Sequence, residues 1–120
     1  MRLSVRSNGR VHPFTVEIAR TMEEQNYGLM NRSTLGPDRG MIFPYDPPQA
    51  VAFWMKNTLI PLDIIFVAPG GTILNIAANA TPLSLEALPS AGPVEAVLEI
   101  AGGRAAELGI KAGDRVEWQH

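Results

Sequence analysis

The sequence contains no cysteine in its 120 residues. This absence excludes disulfide bonds, thiolate metal sites and cysteine nucleophiles, and it suits a reducing cytosol as well as an exported domain. No apolar run approaches the roughly 20 residues of a membrane span. The first ten residues, MRLSVRSNGR, lack the apolar segment of a signal peptide. Two locations therefore stay open: the cytoplasm, or an extracytoplasmic compartment if an export signal has been removed.

Histidine is also scarce, and the chain carries no excess of basic charge. Because His12 and His120 are the only histidines, the chain has no H-x-H or HExxH spacing for zinc or iron. His12 alone does not provide a Ser–His–acid set. We therefore expect no metal and no other cofactor. The formal net charge of -2 argues against nucleic acid as a partner.

The pattern of apolar residues predicts a mainly β fold with two short helices, of the α+β class. Alternating or short apolar runs indicate six to eight strands, among them residues 11–19, 40–43, 51–55, 62–67, 72–80 and 94–100. Helices this few and short cannot cover both faces of a parallel sheet. We expect a small closed or partly open β-barrel, with residues 1–120 forming one domain.

Local signals predict the helices and loops. Thr21 followed by Glu24 predicts a capping box and a helix from Met22 to Tyr27 that ends at Gly28. A second helix is expected at residues 103–108. Prolines predict an ordered loop at residues 45–48 and a long loop at residues 81–93, and a loop of that length is more often functional or mobile than idle. In the strand at residues 94–100, alternation predicts that Glu95 and Glu99 point away from the core.

The stretch VAFWMKNTLIPLDIIFV, residues 51–67, interrupts an apolar pattern with Trp54, Lys56, Asn57 and Asp63. On a strand, Phe53 and Met55 share one face, which leaves Trp54 and Lys56 on an outer surface or in a groove. Asp63 needs a partner if it is buried. We expect that partner to be Lys56 or the backbone donors of residues 57–58. Such a pair fits a functional site and a salt bridge that fixes the loop equally well.

Five motifs, in this order, resemble the DUF192 (UPF0127) family over residues 14–118. They are Gly28-Leu29-Met30-x-Arg32, GMIF at 40–43, FWMKNT-x-IPLDI at 53–64, VLE at 97–99, and GIxxGDxV at 109–116. The resemblance implies a small bacterial or archaeal domain from a family with no established activity, many of whose members carry an export signal or lipid anchor. The matching positions that a family site would use are Met30, Arg32, Trp54, Lys56, Asn57 and Asp63.

The chain departs from this family at two positions. Relatives commonly have an arginine in the helix before GLM, where this chain has Gln25 or Asn26, and often an aromatic residue where it has Ala96. Any site that uses those positions differs here. The closing GIKAGDRV is also similar to a turn of cradle-loop barrels, which agrees with a barrel by analogy.

Three functions fit these observations. The leading hypothesis is non-enzymatic binding of a small polar or anionic ligand, or of a partner, in a pocket framed by Trp54, Lys56, Asn57 and Asp63. Trp54 would stack, Lys56 would meet an anionic group, and residues 81–93 would form a lid. The alternatives are a hydrolase that uses Lys56 or Asp63 as general base, and a structural lock without a ligand.

Overall fold

A computed structural model describes residues 1–119 of the chain, so His120 lies outside the described residues. Nine strands and two short helices follow one another along these residues. They are β1 (Arg2–Ser7), β2 (Arg10–Ile18), α1 (Met22–Tyr27), β3 (Arg39–Gln49), β4 (Ala52–Phe53), β5 (Leu62–Val67), β6 (Ile73–Ala80), β7 (Leu88–Pro89), β8 (Val94–Ala101), α2 (Arg104–Leu108) and β9 (Arg115–Trp118).

Seven strands form one curled sheet in the order β6-β5-β8-β3-β2-β1-β9, and β4 pairs with β7 separately. Only β2 and β3 are parallel, because α1 carries the chain between them. The edge strands meet at one end, where the N–H of Ile73 donates to the carbonyl of Asp114 over 2.8 Å. The sheet is therefore a half-barrel with partly closed edges, and the predicted mainly β class with two short helices is confirmed.

Both faces of the central strands are covered. Every residue of β5 is buried, as is nearly all of β8. The inner face of the curl carries a cluster that includes Leu3, Val5, Phe14, Val16, Ile42, Ile65, Leu98 and Ile100. The opposite face carries a cluster that includes Leu29, Met41, Phe43, Met55, Leu62, Ile64, Phe66 and Val97. The candidate site described below lies on this second face.

The predicted capping box of α1 is present. The hydroxyl of Thr21 accepts from the N–H of Glu24 over 3.0 Å, and the carboxylate of Glu24 accepts from the N–H of Thr21 over 3.0 Å. The two reciprocal bonds satisfy donors that have no partner within the helix. The expected helix from Met22 to Tyr27, ended by Gly28, is confirmed. Within residues 1–119, no helix is long and apolar enough to cross a membrane.

Two local expectations were wrong, and one strand was missed. Residues 45–48 belong to β3 instead of a loop, and the irregular pairing between Pro44 and Gln49 accommodates prolines that cannot donate hydrogen bonds. The expected strand at residues 51–55 contains only Ala52–Phe53, because the N–H of Met55 donates to the carbonyl of Ser84 instead of to a strand partner. Strand β1 was not predicted, although Leu3, Val5 and Ser7 alternate in burial with their neighbours.

Candidate functional site

An open groove of about 550 Å³ lies between α1 with its exit and the segment that follows β4. We call it the Trp54 groove. Its lining residues come from three parts of the fold: α1 and its exit, strands β3 and β8, and residues 52–58. They are Gln25, Asn26, Tyr27, Gly28, Leu29, Met30, Phe43, Tyr45, Ala52, Phe53, Trp54, Lys56, Asn57, Thr58 and Glu99.

A tight turn shapes one wall of the Trp54 groove. The N–H of Thr58 donates to the carbonyl of Met55 over 3.1 Å, and its hydroxyl donates to the carbonyl of Lys56 over 3.2 Å. Asn57 adopts a φ of 55°, a conformation that asparagine tolerates better than most residues. The N–H of Asn31 donates to the carbonyl of Asn57 over 2.9 Å and joins the two walls. The side-chain amide of Asn57 makes no hydrogen bond within residues 1–119.

Phe53 and Met55 pack inward and Trp54 and Lys56 face outward, as expected, although Phe53 also lines the groove. Met55 is buried, and Phe53 makes edge-to-face contacts with Phe43 and Phe66 at centroid distances of 5.1 Å and 6.1 Å. Trp54 faces outward and is 48% exposed. The ammonium of Lys56 lies 5.1 Å from the centre of the Trp54 ring, within the range of a cation–π interaction.

Glu99 is the buried acid of the Trp54 groove. It lies opposite Met41 and Ile64 in the sheet, on the apolar second face, and is 5% exposed. Its carboxyl group forms no hydrogen bond or ion pair within residues 1–119. Burial raises the pKa of Glu99 to about 8. The expectation that Glu99 points away from the core was wrong, because a second apolar cluster, to which Leu29 and Met55 contribute, covers this face of the sheet.

Two neighbours of Glu99 in the groove do not neutralise it. Burial and, to a smaller extent, the charge of Glu99 raise the pKa of Tyr45 to about 12. The amide of Gln25 donates to the carbonyls of Ala19 and Pro44, both over 3.0 Å, and so ties α1 to β3. Neither residue provides a cation for the carboxyl group.

The structure does not bring Asp63 into the groove. Asp63 is fully buried on the other face of β5, where its carboxylate accepts three backbone N–H groups. These come from Asn79 at 2.7 Å, Gly103 at 3.0 Å and Ala105 at 2.8 Å. The expected partners, Lys56 or the backbone of residues 57–58, were wrong. Asp63 instead joins β5 to the end of β6 and the start of α2, where unpaired helix N–H groups need acceptors.

Arg32 and Met30 follow α1 but lie in different places. Arg32 makes a bidentate ion pair with Glu17, in which Nη2 of Arg32 lies 2.8 Å from Oε1 of Glu17. That hydrogen bond holds the pKa of Glu17 below its usual range. Arg32 lines a separate groove of about 510 Å³ beside α1, whereas Met30 lines the Trp54 groove.

Residues 81–93 were expected to form a lid, and this expectation was wrong. The N–H of Leu83 donates to the carbonyl of Thr58 over 3.0 Å, and the N–H of Ser90 donates to the carbonyl of Val51 over 2.8 Å. Pairing of β7 with β4 adds a further attachment. The segment is thus fixed against residues 51–58, and none of it lines the Trp54 groove.

The structure thus brings together Trp54, Lys56, Asn57 and Met30 and leaves Asp63 and Arg32 elsewhere. Glu99 and Tyr45 are additional residues of this groove. Glu99 had one available signal: it is a lone acid within the apolar run VLEIA, the pattern of a strand that is buried on both faces. No sequence signal indicated that Tyr45 lies in the groove, because the prolines around it are untypical of a strand.

The fold is that of a small half-barrel protein, and the Trp54 groove lies on the second face of its sheet. The chain belongs to the DUF192 family, described as an uncharacterised ACR, whose model matches residues 3–118. That range includes the residues 14–118 expected from the motifs. No curated protein matches the chain.

Two solved structures are similar to this chain over nearly all of its length. One is a protein of unknown function from Novosphingobium aromaticivorans, with 55% identity, a TM-score of 0.95, and coverage of 98% of this chain and 84% of that one. The other is described as a "putative transcription regulator" from Sinorhizobium meliloti, with 42% identity, a TM-score of 0.94, and coverage of 97% and 91%.

Proposed function

We propose that this protein binds a small polar organic ligand in the Trp54 groove. The observation that carries the proposal is the half-exposed face of Trp54 beside a concavity that also contains the buried carboxyl group of Glu99. Ligand sites typically have volumes of about 300–1,000 Å³ and combine apolar walls with a few polar groups. The volume of about 550 Å³ and the lining residues fit this description.

The lining side chains have separate roles in this proposal. Trp54 offers a ring for stacking, and Met30 adds an adaptable apolar surface. The free amide of Asn57 offers a donor and an acceptor that orient the ligand. Lys56 is the cation at the opening. Asp63 and Arg32, which are paired elsewhere, stay outside the set of contacts.

Saturation-transfer NMR with three small probes tests the proposal: benzyl alcohol, benzoate and benzylamine. We expect at least one probe to receive saturation from the wild-type protein and to lose it with Trp54→Ala, since removal of the ring removes the stacking surface. Trp118→Phe is the control, because the tryptophan at position 118 does not line the groove. Absence of transfer to every probe, or transfer that survives Trp54→Ala, contradicts the proposal.

A further inference from the structure

The carboxyl group of Glu99 is a buried polar group for which the described part of the chain supplies no partner. It lines the Trp54 groove, is 5% exposed and forms no hydrogen bond or ion pair within residues 1–119. An unpaired carboxyl group in an apolar setting is unfavourable. A ligand that reaches it with an N–H donor removes that penalty.

The surroundings of Glu99 favour a cation over an anion. Five aromatic residues, Tyr27, Phe43, Tyr45, Phe53 and Trp54, line the same groove. The faces of aromatic rings carry negative potential and attract ammonium and guanidinium groups. Burial raises the pKa of Glu99, and within residues 1–119 no lysine or arginine forms an ion pair with its carboxyl group. An anion would instead meet the negative faces of these rings and would be repelled by the ionised form of Glu99.

We propose that the Trp54 groove binds a small organic cation, whose primary ammonium or guanidinium group pairs with the carboxylate of Glu99 and whose carbon frame packs on Trp54. This inference rests on the proposed binding function and names the ligand class.

Lys56 competes with the ligand in this proposal. Its ammonium occupies one face of Trp54 and is displaced when the ligand stacks on that face.

Binding of a cation is coupled to ionisation of Glu99. With its pKa raised to about 8, this group is mostly protonated at neutral pH. A cation binds the ionised form, lowers the pKa and releases a proton, so affinity rises with pH by about 10-fold per unit well below that pKa. The other titratable groups that line the groove are Tyr45 on β3, Tyr27 on α1 and Lys56 in the turn. Tyr45, whose pKa is about 12, stays protonated.

Calorimetric titration with benzylamine, benzyl alcohol and benzoate tests the ligand class, because the three share a ring and differ in charge. We expect benzylamine to bind the wild-type protein about 10-fold or more tighter than either of the others. The affinity of the wild-type protein for benzylamine rises between about pH 6 and about pH 8. This pH dependence is measured on the wild-type protein alone. Glu99→Gln, which keeps the shape and removes the acid, loses both the preference and the pH dependence.

Two results overturn the inference in distinguishable ways. If benzyl alcohol or benzoate binds as tightly as benzylamine, or if the affinity for benzylamine falls as pH rises, the cation assignment is wrong while the proposed binding function stands. If none of the three binds at millimolar concentration, the proposed function fails and this inference fails with it.

Discussion

The ammonium of Lys56 lies 5.1 Å from the centre of the Trp54 ring, so the cation that lines the groove covers part of its exposed aromatic surface. Both side chains are exposed, and an exposed cation–π contact contributes only about 0.5–1 kcal/mol. The contact therefore has little weight in stability and a direct effect on what can stack on Trp54.

Lys56→Ala should leave stability almost unchanged. We expect the free energy of unfolding to fall by less than about 1 kcal/mol in urea titrations, because an exposed contact is lost and nothing buried is left unpaired. The affinity for benzylamine should rise several-fold. Lys111→Ala, which removes a lysine that contacts Asn8 and Asp114, is the control. A loss of more than about 2 kcal/mol for Lys56→Ala would instead indicate a structural lock.

Asp63→Ala should destabilise the protein by about 3–5 kcal/mol, because three backbone N–H groups lose a charged acceptor inside the core. Urea unfolding provides the measurement. Asp38→Ala is the matched control: it removes an exposed carboxylate that pairs with Arg104 of the same helix, α2, at 3.1 Å. We expect the control to change stability by less than about 1 kcal/mol. Equal effects for the two variants would contradict the role assigned to Asp63.

Glu99→Gln should change how stability depends on pH. The pKa of Glu99 is about 8 in the folded protein and 4.5 ordinarily, so the folded state binds the additional proton between these values. Stability of the wild-type protein therefore falls as pH rises through this window, by about 5 kcal/mol at most. Thermal unfolding over the same range should show a flatter profile for Glu99→Gln and a higher midpoint than wild type above about pH 8. Glu86→Gln, at an exposed site, is the control. Parallel profiles for wild type and Glu99→Gln would show that this acid is not the one that titrates.

Gly40→Ala should disrupt the contact between β3 and β8. A Cβ atom at position 40 would clash with the carbonyl oxygen of Glu99 and would lie 3.1 Å from a methyl group of Ile100. Because the first of these atoms belongs to the backbone, the two strands must separate, and we expect a loss of about 3 kcal/mol or more in urea unfolding. Gly92→Ala, whose nearest atom is 3.9 Å away, should be close to neutral. Equal stability of the two variants would contradict the pairing of β3 with β8.

The sequence predicted those features that depend on neighbouring residues. The capping box of α1 needs only Thr21 and Glu24, and one short turn carries Lys56 and Asn57 beside Trp54. The features that it did not predict depend on distant segments. Glu99 is buried because residues far earlier in the chain, among them Leu29 and Met55, build the apolar cluster on its face of the sheet. The partners of Asp63 likewise come from positions 79, 103 and 105, which no local pattern relates to it.

The most direct test of the central claim is the set of backbone amide signals that shift when benzylamine is added to the ¹⁵N-labelled wild-type protein. We predict shifts at residues 27–30, at residues 53–58 and at Glu99, all of which lie at the Trp54 groove. Shifts centred instead on the groove of about 390 Å³ that Met1 and Trp118 line, or the absence of shifts, would contradict the claim that the Trp54 groove is the ligand site.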